Sequence, residues 1–171
     1  IEVDPRGLDV AHIDALAKAG LTRLSIGVQD FDRQVQQAIN RVQSFEETRA
    51  AVEGFRARGI TSLNIDALYG LPHQTTERMI ETLRQVMLLR PDRIALFGYA
   101  HVPWMKRHQA MIDEAALPDV VERYQQAETA AAYLVAHGYQ RIGFDHFALA
   151  TDSMAIAARD GTLKRNFQGY T

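Results

Sequence analysis

The chain has 171 residues, 47% apolar and 23% charged, enough for one domain with a sizeable core. A net charge of −2 gives no basic field for nucleic acid or an anionic membrane, and no apolar run approaches the length of a membrane span. Cysteine is absent, which excludes disulfides and thiolate metal sites within this chain and fits a cytoplasmic protein.

In chain order, Ile1–Asp4 reads as a short strand broken by Pro5-Arg6-Gly7. Leu8, Ala11, Ala15, Leu16 and Ala19 recur at helical spacing, and Gly20 stops that helix. Arg23–Val28 is a strand. Phe31, Val35, Ala38 and Ile39 mark a short helix with Asp30 as its expected cap. Phe45, Thr48, Val52 and Phe55 give a helix ending near Gly59, and Ser62–Tyr69 is a strand. After Gly70-Leu71-Pro72, residues Met79, Ile80, Leu83, Val86 and Met87 form a helix, and Arg93–Tyr99 is the fourth strand. Beyond it, His101–Leu117 is irregular. Asp119–His137 is an amphipathic helix with Val120, Tyr124, Ala127, Ala131 and Leu134 on one face. Gln140–Phe144 is strand-like, Asp152–Arg159 a short helix, and Leu163–Tyr170 extended.

Strands separated by helices run parallel, so the class is α/β, either a doubly wound sheet or a TIM-like barrel. The division expected is 1–104 for the βα units and 105–171 for a flanking helix and the start of a C-terminal region, packed over or beside the barrel. The chain opens at what reads as a strand end without an initiator Met, and is read as a piece of a longer protein.

Polar residues gather at strand ends: Glu2 and Asp4 on the first, Ser25, Gln29 and Asp30 on the second, Asn64 and Asp66 on the third, Tyr99 and His101 on the fourth. Parallel α/β folds bind ligands at the carboxyl ends of their strands, so these groups should converge on one mouth. The plainer reading of Asp66 is a helix cap or a turn residue. Asp4 and Arg6 read equally as a local ion pair or as part of the site. Arg41 is either a surface arginine or a fork for a carboxylate. Asp145-His146 suggests acid–base work, but neighbours on a strand point to opposite faces. His73, His108 and His137 read as structural or surface residues.

Several strings resemble one family: Glu2-Val3-Asp4-Pro5-Arg6, Arg23 through Asp30, Ile39-Asn40-Arg41-Val42-Gln43, Asn64-Ile65-Asp66 with Tyr69-Gly70-Leu71-Pro72, and Phe97-Gly98-Tyr99-Ala100-His101-Val102-Pro103. Two more are Ile142 through Ala148 and Arg165 through Thr171. Together they resemble the oxygen-independent coproporphyrinogen III oxidases, radical S-adenosylmethionine (SAM) enzymes of haem biosynthesis. The resemblance spans essentially the whole chain.

That resemblance implies an incomplete, roughly six-stranded TIM-like barrel with a C-terminal extension. It implies oxidative decarboxylation of two propionates of coproporphyrinogen III to vinyl groups, giving protoporphyrinogen IX. The cofactors implied are SAM and a 4Fe-4S cluster, with a reductant or electron-donor protein as partner, and a monomer. Glu2 would bind one SAM; Gln29, Arg41, Asp66 and Ala100 would contact a second. Arg165 and Gln168 would reach the substrate. The family's Cys-x-x-x-Cys-x-x-Cys loop is missing, so this chain alone cannot hold the cluster and should be inactive by itself. The alternative is a haem-binding, chaperone-like paralogue without oxidase activity, which shares only the earlier strings. A third reading is a barrel hydrolase or lyase with a metal on Glu2, Asp4 and Asp66.

Overall fold

The computed structural model describes residues 1–166 and 169–170. Strands β1 (Glu2–Val3), β2 (Arg23–Gln29), β3 (Ser62–Tyr69) and β4 (Arg93–Gly98) pair in parallel, in chain order. The helices between them are α1 (Val10–Lys18), α2 (Arg33–Ala38), α3 (Phe45–Arg56) and α4 (Thr76–Leu88). Two 3-10 turns, Arg107–Met111 and Glu114–Ala116, lead to α5 (Val120–Ala136). Next come β5 (Tyr139–Ile142), β6 (His146–Leu149), α6 (Ser153–Arg159) and a separate two-stranded ribbon, β7 (Arg165–Asn166) with β8 (Gly169–Tyr170).

Side-chain alternation explains the layering. Leu24, Ile26 and Val28 of β2, Leu63, Ile65 and Ala67 of β3, and Ile94 and Leu96 of β4 form one core with Val52 and Phe55 of α3, Leu83 and Val86 of α4, and Leu134 of α5. The intervening residues, Ser25, Gly27, Asn64 and Asp66 among them, face the other way. A parallel sheet with helices on one face and polar side chains on the other is a barrel wall, and the doubly wound alternative falls. Helix α6 packs on that inner face, where Met154 and Ala155 meet Ile142 and Ala148, with Tyr170 against the same group. Arg93, at the start of β4, donates to Asp152 Oδ1 at 2.7 Å and to Ser153 Oγ at 2.9 Å, and Arg23 reaches the same hydroxyl at 2.7 Å. Helix α6 is thereby fastened at the amino end of the strands, away from their carboxyl ends.

The structure departs from the sequence reading in three places. The last third does not merely flank the four βα units: β6 pairs antiparallel with β4 and β5 with β6, extending the same sheet to six strands. Strand β6 was not expected from the sequence. In α5, Gln126, Ala130, Ala131 and Leu134 are the buried residues, while Val120 and Tyr124 are exposed. Asp30 does not cap α2; Asp32 does, accepting from the amides of Gln34 and Val35. Asp30 is buried instead, accepting from Asp32 N at 2.6 Å, Gln74 Nε2 at 2.6 Å and Thr82 Oγ1 at 3.0 Å. Its burial pushes the carboxyl up to about 6 despite these donors.

Gln74 links that carboxylate to the Gly70-Leu71-Pro72 turn, where Gly70 adopts a left-handed φ of 81°. Gln126 of α5 accepts from Gly70 N at 2.8 Å and donates to Gln74 O at 2.7 Å. The end of β3 is therefore locked between β2 and α5.

Candidate functional site

The registers rank the inner-face residues across the sheet. Glu2, Ser25, Asn64 and Arg93 form one rank; Gly27, Asp66, Ala95 and His146 form the next, nearer the carboxyl ends of β2, β3 and β4. Asp66 lies near the middle of this wall. It accepts from Asn64 Nδ2 at 2.7 Å and from Ser25 Oγ at 3.1 Å, and Asn64 Nδ2 also donates to Ser25 Oγ at 2.8 Å. Helix α4 is capped by Thr75, so the capping reading of Asp66 falls. Burial pushes the Asp66 carboxyl up, against the two side-chain donors, and Glu2 nearby adds to the rise. Asn64 Oδ1 is buried without a hydrogen-bond partner among the described residues.

The second cluster forms around Gly27. The register between β2 and β3 slips between Gly27 and Gln29, and Gln29 takes a left-handed φ of 67°. A bulge and a positive φ at a non-glycine residue carry a strain cost, and together they re-aim a side chain. Gln29 is thereby folded back over β2: a Cβ on Gly27 would stand 2.9 Å from Gln29 Nε2 and 3.3 Å from Arg41 Nη2. Arg41 donates from Nη2 to Gly27 O at 2.7 Å and from Nη1 to Asp4 Oδ2 at 3.2 Å. Its Nε is buried and has no partner among the described residues. Asp4 is also paired with Arg6 at 2.7 Å. The hydrogen bonds from Arg6, with Arg41 adding to them, hold the Asp4 carboxyl down at about 2. The local ion pair forms and extends further: Asp4 ties Arg6 to Arg41.

Glu2, Gln29, Arg41 and Asp66 therefore share one face. Ala100 lies beyond the end of β4, exposed, in a loop held by Gln109. Gln109 accepts from Val102 N at 2.6 Å and donates to Ala100 O at 3.0 Å, leaving the Ala100 carbonyl one further lone pair. His101 bridges Tyr99 Oη and Glu114 Oε1, each at 3.1 Å. Arg165 is exposed and lies over the rings of Phe144 and Tyr170, 5.4 and 5.5 Å from their centroids. Gln168 lies outside the described residues. The metal reading is overturned: no group of three His, Asp or Glu able to hold an ion forms among the described residues, and Asp4 is taken up by two arginines.

A sequence profile of the Radical SAM superfamily matches residues 1–86, half of the chain. The chain belongs to the radical SAM superfamily. Among curated relatives, an oxygen-independent coproporphyrinogen III oxidase of Paracoccus denitrificans is 55% identical over all 171 residues, and one of Helicobacter pylori is 46% identical over 170. The chain spans 38% and 37% of their respective lengths. Among solved structures, the coproporphyrinogen III oxidase of Escherichia coli superimposes with a TM-score of 0.96 at 46% identity, covering 100% of this chain and 39% of that one. The fold class expected from the sequence is borne out, with this chain forming part of the radical SAM barrel.

The superfamily implies SAM and a 4Fe-4S cluster. The residues present fit SAM, a ligand with a carboxylate, an ammonium group and ribose hydroxyls. Arg41 Nε is a buried donor without a partner, Asn64 Oδ1 a buried acceptor without one, and Asp66 a half-buried carboxylate on the same face. No thiolate is available for a cluster in this radical SAM chain. Sequence reasoning placed Asn64 at the mouth without a partner, and left Gly27 and Gln109 without roles. Asn64 was legible as the residue two before Asp66 on a strand; Gln109, in irregular chain, had no signal.

Proposed function

We propose that the protein containing this chain is an oxygen-independent coproporphyrinogen III oxidase. It decarboxylates two propionates to vinyl groups and releases protoporphyrinogen IX, in the cytoplasm, as a monomer served by an electron-donor protein. What carries the reading is the 55% identity to such an oxidase across all 171 residues, far past the 1–86 stretch common to the superfamily.

In this superfamily SAM supplies a radical that abstracts hydrogen. The residues of this chain bind and orient. Glu2 holds one SAM; Gln29, Arg41, Asp66 and Ala100 hold a second. Arg41 Nε–H meets a carboxylate oxygen, a charge-assisted bond in a partly buried setting. Asp66 accepts from ammonium or ribose donors, already oriented by Asn64 and Ser25. Ala100 offers its backbone N–H and the second lone pair of its carbonyl to a flat base. Arg165, and Gln168 in the stretch after it, reach toward the substrate.

The test uses the full-length protein, reconstituted anaerobically with iron and sulfide and given SAM, a reductant and coproporphyrinogen III. The expected product mass corresponds to loss of two CO2 and four hydrogens, with the reductant-primed radical chemistry and an electron acceptor taking up the electrons. An intact cluster with no decarboxylation would overturn the reading.

A further inference from the structure

One histidine on the inner face has no role in the site described so far. Asp145 does not lie on β6 but in the turn before it, so the opposite-faces objection to an Asp145–His146 pair does not apply. His146 Nδ1 and Asp145 Oδ1 are 2.6 Å apart, with both side chains largely shielded at 17% and 25% exposure. A carboxylate only accepts, so Nδ1 carries the proton in that bond, and the tautomer this fixes presents Nε2 as a lone pair. Nε2 has no hydrogen-bond partner among the described residues. In register, His146 pairs with Ala95 and Ala95 with Asp66, so the imidazole stands two strands from the Asp66 carboxylate on one rank.

The surroundings of that lone pair are aromatic. Phe97 and Tyr170 meet the His146 ring edge to face, with centroids 5.7 and 5.1 Å away. Exposed Phe144 continues this surface, and the Arg165 guanidinium covers it. An acceptor set among ring faces, with a cation at its edge, suits a flat or puckered heterocycle that carries N–H donors and peripheral carboxylates. A porphyrinogen has both: its reduced macrocycle keeps a hydrogen on every pyrrole nitrogen.

We infer that His146 is a substrate-binding residue whose Nε2 accepts a pyrrole N–H of the porphyrinogen, with Asp145 as the positioning residue that fixes its tautomer. The inference rests on the function proposed above and adds the residue pair that would read the macrocycle itself rather than its propionates.

The test measures anaerobic equilibrium binding of coproporphyrinogen III, and separately of SAM, to the full-length reconstituted protein. His146→Ala should raise the Kd for the porphyrinogen about tenfold, the size of one lost hydrogen bond, and leave the Kd for SAM unchanged. His146→Gln keeps an acceptor oxygen and should recover most of the affinity. Asp145→Asn keeps the shape but can donate to Nδ1, forcing the proton onto Nε2; it should weaken porphyrinogen binding as much as His146→Ala does. Unchanged porphyrinogen binding in His146→Ala overturns the inference, and so does equal weakening of SAM and porphyrinogen. A wild-type protein that binds SAM but no coproporphyrinogen III overturns the function itself, a result distinct from either of these.

Discussion

Asp66 illustrates a residue whose function and stability pull in opposite directions. Its carboxyl is pushed up by burial, so the folded state holds the proton more tightly than the unfolded chain does. Stability from that preference is fully present below the ordinary carboxylate range and is lost as pH rises through the raised folded value. Asp66→Asn should therefore melt higher than wild type near pH 7.5, and the gap should close toward pH 4. The same variant should bind SAM at least tenfold more weakly, since an amide cannot pair with an ammonium group. Thermal melts over a pH series and SAM titration check the two halves. Gly27 makes the converse case. Gly27→Ala would press a methyl against Gln29 Nε2 and Arg41 Nη2, both flexible side-chain ends, so the fold survives while the cradle shifts. SAM affinity should fall severalfold with less than about 1 kcal/mol lost in urea unfolding.

At the scale of elements, the inner face stays open because α6 is held at its amino end rather than across it. Arg93 and Asp152 form a largely shielded pair, their side chains 13% and 7% exposed, and Asp152 also caps α6 through Met154 N. Removing one partner leaves the other charge buried, which costs about 3–5 kcal/mol. Asp152→Ala should show that loss in chemical denaturation, and proteolysis should cut first within 150–166. The elements themselves were largely legible: β3 keeps its bounds of Ser62–Tyr69 because Leu63, Ile65 and Ala67 alternate with Asn64 and Asp66. The β5–β6 hairpin was not, because Gly143 through Asp145 read as strand and irregular chain rather than as a turn. The buried face of α5 was misread because Gln126, a polar residue, points inward to serve the Gly70 amide and the Gln74 carbonyl.

Across the whole molecule, buried carboxylates set how stability responds to pH. Asp30 reaches about 6 from an ordinary 3.8, a rise that corresponds to about 3 kcal/mol. This contribution is complete below the ordinary value and vanishes as pH rises through about 6. The difference in unfolding free energy between wild type and Asp30→Asn should therefore fall by about 2 kcal/mol from pH 4 to pH 7, in a denaturant series at each pH. No local pattern could reveal Asp30 as this hub, because Thr82 and Gln74, two of its three donors, lie on α4 and in the turn before it. The residues proposed to hold SAM were picked out by their strings, and the fold gathers Glu2, Gln29, Arg41 and Asp66 on one wall. The most direct measurement is the number of SAM molecules bound per chain in the reconstituted full-length protein, by anaerobic equilibrium dialysis. The account predicts two for wild type, and one each for Arg41→Ala and Asp66→Ala. Two bound in either variant, or one in the wild type, would contradict it.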